Sequence, residues 1–262
     1  MSFSQIKSYA KINLALNIVG KTTNLHKIES IIAFIDLYDL IFIKKIKSKK
    51  NNISFSGKFS RNIGKKNTVS ELMKILEKKK FLKDKKFHIK VDKRIPSKAG
   101  LGGGSMNSAS ILKYFIKKKI IKIKKKQIFK ISKMIGSDVI LGLNSFNTIL
   151  TSKNKIKIFT KYKKIHTLIV KPKFGCSTKE IYSKVKNFER PKLDRPNKNM
   201  FNLDYLKKMN NNLELIVFSK YPNLKKIKLF IEKSLNPVFV RMSGSGSVLV
   251  AYFKSKKICE LA

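Results

Sequence analysis

Alternating apolar and polar residues near the start of the chain indicate a β-strand over residues 6–19. The apolar positions from Ile12 to Ile18 fall on one face, and Lys11 and Asn13 lie one pleat apart on the other. On an ordinary sheet such a pair would face solvent. A second alternating stretch, residues 87–91, predicts another strand.

Apolar residues at helical spacing predict helices elsewhere in the chain. Thr68 is the expected N-cap of the first helix, with Glu71 completing a capping box. Further helices are expected over residues 107–121, 127–135, 177–185, 213–221 and 224–235, and further strands over residues 165–170 and 248–253. Residues 187–202 are polar and are expected to form a long loop.

A glycine-rich stretch lies between the strand at residues 87–91 and the helix at 107–121. It runs from Pro96 to Ser110 and contains four of the 12 glycines. Backbone N–H groups at a helix N-terminus bind phosphate, so the stretch predicts a phosphate site. It is not a P-loop, because no Lys-Ser or Lys-Thr follows the last glycine. It also lacks the acidic residue that a dinucleotide fold has about 20 residues later. A glycine-rich turn without a ligand is the structural alternative.

The formal net charge is +45, from 60 Lys+Arg against 15 Asp+Glu. Such a charge is typical of nucleic-acid or membrane-surface binders. However, only five of the cations are arginine, the residue that reads bases best, and the lysines are spread along the whole chain. We therefore interpret them as a solvated surface that attracts a polyanionic small substrate, and expect no specific nucleic-acid partner.

The 262 residues are sufficient for one large domain or two smaller ones. No apolar run approaches 18 residues and no signal peptide is recognisable, so we expect no membrane association. Two distant cysteines argue against a disulfide framework or a structural zinc site and favour the cytoplasm.

Acidic residues are scarce, so Asp138 in Gly136-Ser-Asp-Val139 calls for an explanation. It is either a turn former or a carboxylate placed between a helix and a strand to act as a base. His26 alone does not distinguish a ligand-binding residue from a structural one.

Three motifs, in order, resemble those of the GHMP kinase superfamily. They are Ala-Lys-Ile-Asn-Leu at residues 10–14, the glycine-rich loop at 96–109, and Met-Ser-Gly-Ser-Gly-Ser at 242–247. The resemblance implies an α+β, two-domain GHMP kinase fold, with the active site in the cleft between the domains. It implies an N-terminal ATP-binding domain at residues 1–155 and a C-terminal domain at 156–262.

Within the superfamily, Lys11, His26, Asp36-Leu-Tyr-Asp39, the triple glycine and Gly136-Ser-Asp-Val139 are most similar to one branch. That branch phosphorylates the 2-hydroxyl of a cytidine diphosphate-linked methylerythritol in the non-mevalonate isoprenoid route. ATP and Mg²⁺ are therefore the expected cofactors, with Ser105 a candidate metal ligand by its position alone. The oligomeric state stays open.

The resemblance also implies roles for individual residues. Asp138 would be the catalytic carboxylate and Lys11 its cationic partner. The implied ATP-binding residues are Asn67, Pro96, Ala99, Gly100, Leu101, Gly102, Gly103, Gly104, Ser105 and Asn107. The implied substrate-binding residues are Asn13, His26, Tyr182, Gly244 and Gly246, with His26 and Tyr182 at the cytosine. A turn asparagine and a packing aromatic are the alternatives for Asn67 and Tyr182.

Three positions depart from the pattern of the family. Leu25 stands where a tyrosine usually flanks the histidine, so half of the aromatic sandwich around cytosine is missing. Ile140 and Met106 replace a proline and a serine and are interpreted as packing changes. The departure at Leu25 leaves a homoserine-type or mevalonate-type kinase as the alternative, with a basic nucleic-acid-binding protein as the non-enzymatic one.

Overall fold

The structure is a computed structural model that describes residues 2–23, 25–61, 63–160 and 164–262. Its strands are β1 (Ser4–Lys21), β2 (His26–Ile46), β3 (Asn52–Ser56), β4 (Lys86–Asp92), β5 (Asn147–Leu150), β6 (Ile156–Phe159), β7 (His166–Val170), β8 (Phe239–Met242) and β9 (Leu249–Phe253). Its α-helices are α1 (Thr68–Lys78), α2 (Gly103–Lys117), α3 (Lys125–Ile135), α4 (Val139–Gly142), α5 (Thr178–Ser183), α6 (Leu203–Lys207), α7 (Leu213–Lys220), α8 (Pro222–Ser234) and α9 (Lys256–Leu261). A 3₁₀ turn covers Lys198–Phe201.

The chain divides into two compact units, each assembled from separate segments. Unit 1 comprises Met1–Lys11, Ile35–Ser97 and Gly102–Ser145. Unit 2 comprises Ile12–Phe34, Lys98–Leu101 and Phe146–Ala262. The predicted domains meet at one boundary, after residue 155, whereas each of the two units contains segments from the first 145 residues. The reason is that β1 and β2 each contribute residues to both units.

Unit 1 is a helix-on-sheet layer. The strand order is β3-β4-β2, with β4 antiparallel to β2 and parallel to β3. Its core joins apolar residues of these strands to α1, α2 and α3, with Phe87 against Phe115 at a ring-centroid distance of 4.8 Å. Burying such large side chains is the main force that holds helices on the sheet.

Unit 2 has its own core and two groups of strands. Strand β5 pairs antiparallel with residues 30–32 of β2 and with β6. Strands β7, β9 and β8 form a second, antiparallel sheet, in that order. Apolar side chains of this sheet pack with Leu16 and Ile18 of β1 and with helices α5, α7 and α8. The helices and strands expected from periodicity are therefore present, and the α+β class is confirmed.

The polar face of β1 is buried, contrary to the solvent-facing alternative. Lys11 and Asn13 are each 4% exposed, and Asn17 is 2% exposed. Buried polar side chains must find partners, because an unpaired one costs about 1–3 kcal/mol. The sequence pattern could not show this, since alternation is the same whether the polar face meets water or protein.

Local predictions were wrong at three helix ends. Asn67, not Thr68, caps α1, because its extended backbone lets its side chain accept from the N–H groups of Val69 and Ser70. Helix α2 begins at Gly103, four residues before the predicted start, so two of the loop glycines form its first turn. Asp138 precedes the short helix α4 and not a strand.

Candidate active site

Lys11 and Asp138 form an ion pair within unit 1. Lys11 Nζ lies 3.3 Å from Asp138 Oδ2. The Lys11 side chain is 5% exposed, whereas that of Asp138 is 31% exposed. Helix α3 ends at Gly136, and the turn into α4 presents Asp138. The pair thus combines a buried cation with a carboxylate that a substrate can reach.

Gly102 leaves room for the aliphatic stem of Lys11. A Cβ at Gly102 would lie 3.0 Å from both Cγ and Cε of Lys11. Gly102 also has φ +69° and ψ 11°, a left-handed conformation that L side chains rarely adopt. The glycine-rich loop therefore contributes to the geometry of Lys11 as well as to the predicted phosphate site.

The N-terminus of α2 presents backbone donors. The N–H of Met106 is bonded to the carbonyl of Gly102 at 2.9 Å, and Gly102, the N-cap, has no side chain to cap the turn. The N–H groups of Gly103, Gly104 and Ser105 precede this first helical bond and have no intrahelical acceptor. Together with the positive end of the helix dipole, they suit phosphate oxygens.

Contacts on either side hold this first turn in place. Thr68 Oγ1 donates to the carbonyl of Gly104 at 2.7 Å, which ties α1 to α2. Ser105 Oγ lies against Gly136, since a Cβ there would be 3.5 Å away. The hydroxyl of Ser105 therefore lies beside Gly136, which precedes Asp138 by two residues in the chain.

Asp39 and Lys93 form a buried ion pair that sequence reasoning missed. Asp39 is fully buried, pairs with Lys93, and accepts the N–H groups of Arg94 at 2.7 Å and Ile95 at 2.8 Å. A Cβ at Gly103 would lie 3.2 Å from Lys93 Nζ. The pair thus fixes the chain before Pro96 and places a cation beside the α2 N-terminus. In the sequence Asp39 belongs only to the stretch Asp36-Leu-Tyr-Asp39, and no local pattern joins it to partners over 50 positions away.

Two predicted ATP-binding asparagines occupy structural positions. The side-chain oxygen of Asn67 caps α1, and its Nδ2 donates to the carbonyl of Gly64 at 2.9 Å. Asn107 lies inside α2 and is 1% exposed, and its Oδ1 finds no hydrogen-bond partner among the described residues. A nucleotide-binding role for either side chain stays a prediction.

The other glycine-loop residues belong to unit 2, where they meet the third motif. Ser243 Oγ donates to the carbonyl of Gly100 at 2.9 Å and accepts the N–H of Asn13 at 3.2 Å. Gly100 has φ +76°, and a Cβ there would lie 1.9 Å from the carbonyl oxygen of Ser243. The flanking side chains of Ala99 and Leu101 are buried. Residues of all three motifs thus meet in unit 2.

Neighbouring polar groups orient Asn13 and the third motif. Asn13 Nδ2 donates to Ser30 Oγ at 2.8 Å. Asn211 Nδ2 donates to the carbonyls of Met242 and Gly244, each at 2.8 Å. A Cβ at Gly244 would lie 3.5 Å from Asn13 Oδ1, so the two predicted substrate-binding residues adjoin. Gly246 instead faces the side chains of Met242 and Cys176 in the core.

His26 and Tyr182, predicted together, are in contact within unit 2. Their ring centroids are 5.3 Å apart. A third ring, Phe188, lies 6.5 Å from His26 and was not predicted, because it falls in the polar stretch read as a loop. Burial, with a smaller effect of Lys21, lowers the pKa of His26 below its ordinary value of 6.5, so the neutral imidazole is favoured.

Comparisons with known proteins decide the family of this chain. A model of the GHMP kinases N terminal domain matches residues 67–150. A protein of Pelagibacter ubique (strain HTCC1062) named 4-diphosphocytidyl-2-C-methyl-D-erythritol kinase is 56% identical over 262 residues, covering 100% of this chain and 93% of that protein. The chain belongs to the 4-diphosphocytidyl-2-C-methyl-D-erythritol kinase family of GHMP kinases.

Other relatives agree with this family. A 4-diphosphocytidyl-2-C-methyl-D-erythritol kinase of Clostridium beijerinckii (strain ATCC 51743 / NCIMB 8052) is 34% identical, covering 95% of this chain and 90% of that protein. The crystal structure of a 4-(cytidine 5'-diphospho)-2C-methyl-D-erythritol kinase matches with a TM-score of 0.77 at 22% identity, covering 97% of this chain and 92% of that one. At that identity the match shows the fold. The chain is a small-molecule kinase with the GHMP kinase fold.

Two further findings concern metals and membranes. Within the ranges that the structure describes, no three His, Cys, Asp or Glu side chains come together as a metal cluster. None of the described helices is long and apolar enough to cross a membrane.

Proposed function

We propose that this kinase transfers the γ-phosphoryl group of ATP to the 2-hydroxyl of 4-diphosphocytidyl-2-C-methyl-D-erythritol, giving the 2-phosphate for isoprenoid precursor biosynthesis. The observation that carries the chemistry is the Lys11–Asp138 ion pair. The relative of 56% identity supports the choice of substrate.

Asp138 is the proposed general base. Its carboxylate accepts the proton of the 2-hydroxyl as that oxygen bonds to the γ-phosphorus and the bond from the γ-phosphorus to the β,γ-bridging oxygen breaks, releasing ADP. Lys11 holds the carboxylate through the 3.3 Å contact and offers positive charge to the transferring phosphoryl group. Because Lys11 is buried, its charge is weakly screened by water and its position is fixed.

The first turn of α2 is the proposed triphosphate site. The N–H groups of Gly103, Gly104 and Ser105 supply donors, and the two glycines add no side chain that would block the phosphate. Lys93, beside Gly103, adds a positive charge to the same end of the helix.

Mg²⁺ fits this donor set as a partner of the ATP phosphates. Mg²⁺ binds protein through one or two ligands and otherwise keeps phosphate and water oxygens, so a three-carboxylate cluster is not required. Ser105 is the residue that would hold it. When bound, it neutralises phosphate charge.

The proposed acceptor site is in unit 2. His26 and Tyr182 bind the cytosine, through the polar edge of the imidazole and the face of the phenol ring. Asn13, whose amide is oriented by Ser30, positions the methylerythritol portion next to Gly244.

A coupled assay of ADP release tests the proposal. The purified protein is offered ATP with 4-diphosphocytidyl-2-C-methyl-D-erythritol, homoserine or mevalonate, and turnover is expected only with the first. Turnover with another alcohol alone would overturn the substrate and keep the kinase.

The variant Asp138→Asn tests the base. It preserves shape but cannot accept the proton, so kcat is expected to fall by about 10²–10⁴-fold with ATP affinity retained. The matched control Asp204→Asn changes an exposed carboxylate of α6 and is expected to behave as wild type. Near-normal turnover by Asp138→Asn would exclude Asp138 as the essential base.

A further inference from the structure

Phe188 forms an aromatic cluster with His26 and Tyr182, and its own ring is partly exposed to solvent. Its ring centroid lies 6.5 Å from that of His26, with the planes inclined by 51°. Tyr182 lies on the same histidine at 5.3 Å and 47°. Phe188 is 48% exposed, so much of its ring surface is available to a ligand. A single exposed phenylalanine is ordinary, and its meaning depends on how it is held.

Hydrogen bonds fix the segment that carries Phe188. The N–H of Glu189 donates to the carbonyl of Ile18 at 2.8 Å. The carboxylate of Glu29 accepts the N–H groups of Lys192 at 2.8 Å and Leu193 at 2.9 Å. Glu29 is fully buried, and its carboxylate uses these hydrogen bonds to hold the segment against β1 and β2. These hydrogen bonds therefore hold Phe188 in place beside His26.

The polar edge of His26 lacks a partner in the part of the chain that the structure describes. Its Nε2 is buried and makes no hydrogen bond with the described residues. Buried polar atoms are normally satisfied, so this one points to a ligand or water. A flat heteroaromatic ring that stacks on Phe188 and Tyr182 could satisfy it with its own edge.

Leu25, which precedes His26, cannot supply the stacking surface. It is 70% exposed and aliphatic, and its N–H donates locally to Thr22 Oγ1 at 3.1 Å in the hairpin turn. Ring stacking at this end of unit 2 therefore depends on Tyr182 and on Phe188.

We propose that Phe188 is a specificity-determining residue that stacks, together with Tyr182, on the pyrimidine ring of the cytidine diphosphate group, around His26. This inference rests on the proposed function. It assigns to residue 188 the aromatic surface that position 25 lacks.

The binding of cytidine diphosphate tests the inference by calorimetry. Phe188→Leu keeps apolar bulk but removes the ring, and is expected to weaken binding about five- to hundredfold, the range for loss of one base–aromatic stack. Phe188→Tyr keeps an aromatic ring and is expected to bind cytidine diphosphate as tightly as wild type. Leu25→Ala, an exposed apolar change in the same region, is the matched control and is expected to bind as wild type.

The outcomes separate the two proposals. If the wild-type protein binds ATP but not cytidine diphosphate, the proposed substrate and the role of Phe188 both fail. If wild type and Phe188→Leu bind cytidine diphosphate equally, only the role of Phe188 fails. In turnover assays, Phe188→Leu should raise KM for the cytidine substrate with kcat little changed, and a fall in kcat at constant KM would also overturn it.

Discussion

Gly102→Ala tests whether the glycine-rich loop positions Lys11, the proposed partner of the catalytic base, as well as the phosphates. The substitution adds one methyl group to a residue at φ +69°. That methyl would lie 3.0 Å from two carbons of the Lys11 stem. Lys11 is 4% exposed, so its stem has little room to move aside.

The magnitude has two parts. A left-handed conformation costs an alanine about 1–2 kcal/mol, and a tight contact in a buried site adds to it, so we expect about 1–3 kcal/mol of destabilisation. For a protein of this size, that lowers Tm by about 2–10 °C. Relief of the contact requires Lys11 to shift by a few tenths of an ångström. Since a misplacement of about 1 Å can reduce a rate about 100-fold, kcat should fall about five- to tenfold.

Thermal unfolding and the coupled assay measure both parts. Gly64→Ala is the control, because a Cβ there meets nothing within 4 Å. Gly102→Ala with wild-type kcat and a lowered Tm would show that Lys11 does not depend on this contact. Unchanged Tm and unchanged kcat would refute the whole argument from the loop geometry.

Two further predictions concern Asn67 and His26. Asn67→Ala removes the cap of α1 and should cost about 1 kcal/mol in unfolding free energy. Asn67→Asp keeps the capping oxygen and loses the exposed bond from Nδ2 to Gly64, so it should retain most of that stability. If a stable Asn67→Asp binds ATP more weakly, the amide of Asn67 contacts the nucleotide. If its ATP binding is unchanged, Asn67 serves only as the cap of α1. The folded state lowers the pKa of His26, so it binds this proton less readily than the unfolded chain does. Its contribution to stability should therefore be present above pH 6.5 and be lost as pH falls through the folded pKa. Unfolding curves of wild type and His26→Gln across this range measure it, and parallel pH profiles would contradict it.

Much of the fold followed from patterns that are local in the chain. The alternation in β1 and the helical spacing of α1, α3, α7 and α8 predicted elements that the structure contains, because burial of one face imposes a period on the sequence. The errors lie at helix ends. There, the choice between Asn67 and Thr68 depends on backbone conformation and on the bond from Thr68 to Gly104, which periodicity does not encode.

The candidate site was predictable only where a motif marks it. Lys11, Asp138 and Gly100 lie in short stretches that resemble a family, and their types suit the chemistry. Asp39 and Asn211 lie outside any such signal, although each fixes backbone that the site uses. Their side chains bond to backbone carbonyl and N–H groups of distant residues. Nearly every residue carries those groups, so the sequence does not show which ones are the partners.

By itself, the sequence determined most of the strands and helices and the glycine-rich loop, because these depend on residue type and short spacing. The pairing of Lys11 with Asp138 was implied only by the resemblance to a family. Only the tertiary structure decided that the polar face of β1 is buried, that Gly102 makes room for Lys11, and that Phe188 joins His26 and Tyr182. These features depend on which segments fold against one another. Long-range hydrogen bonds, such as those that Glu29 accepts, establish that arrangement without leaving a period in the sequence.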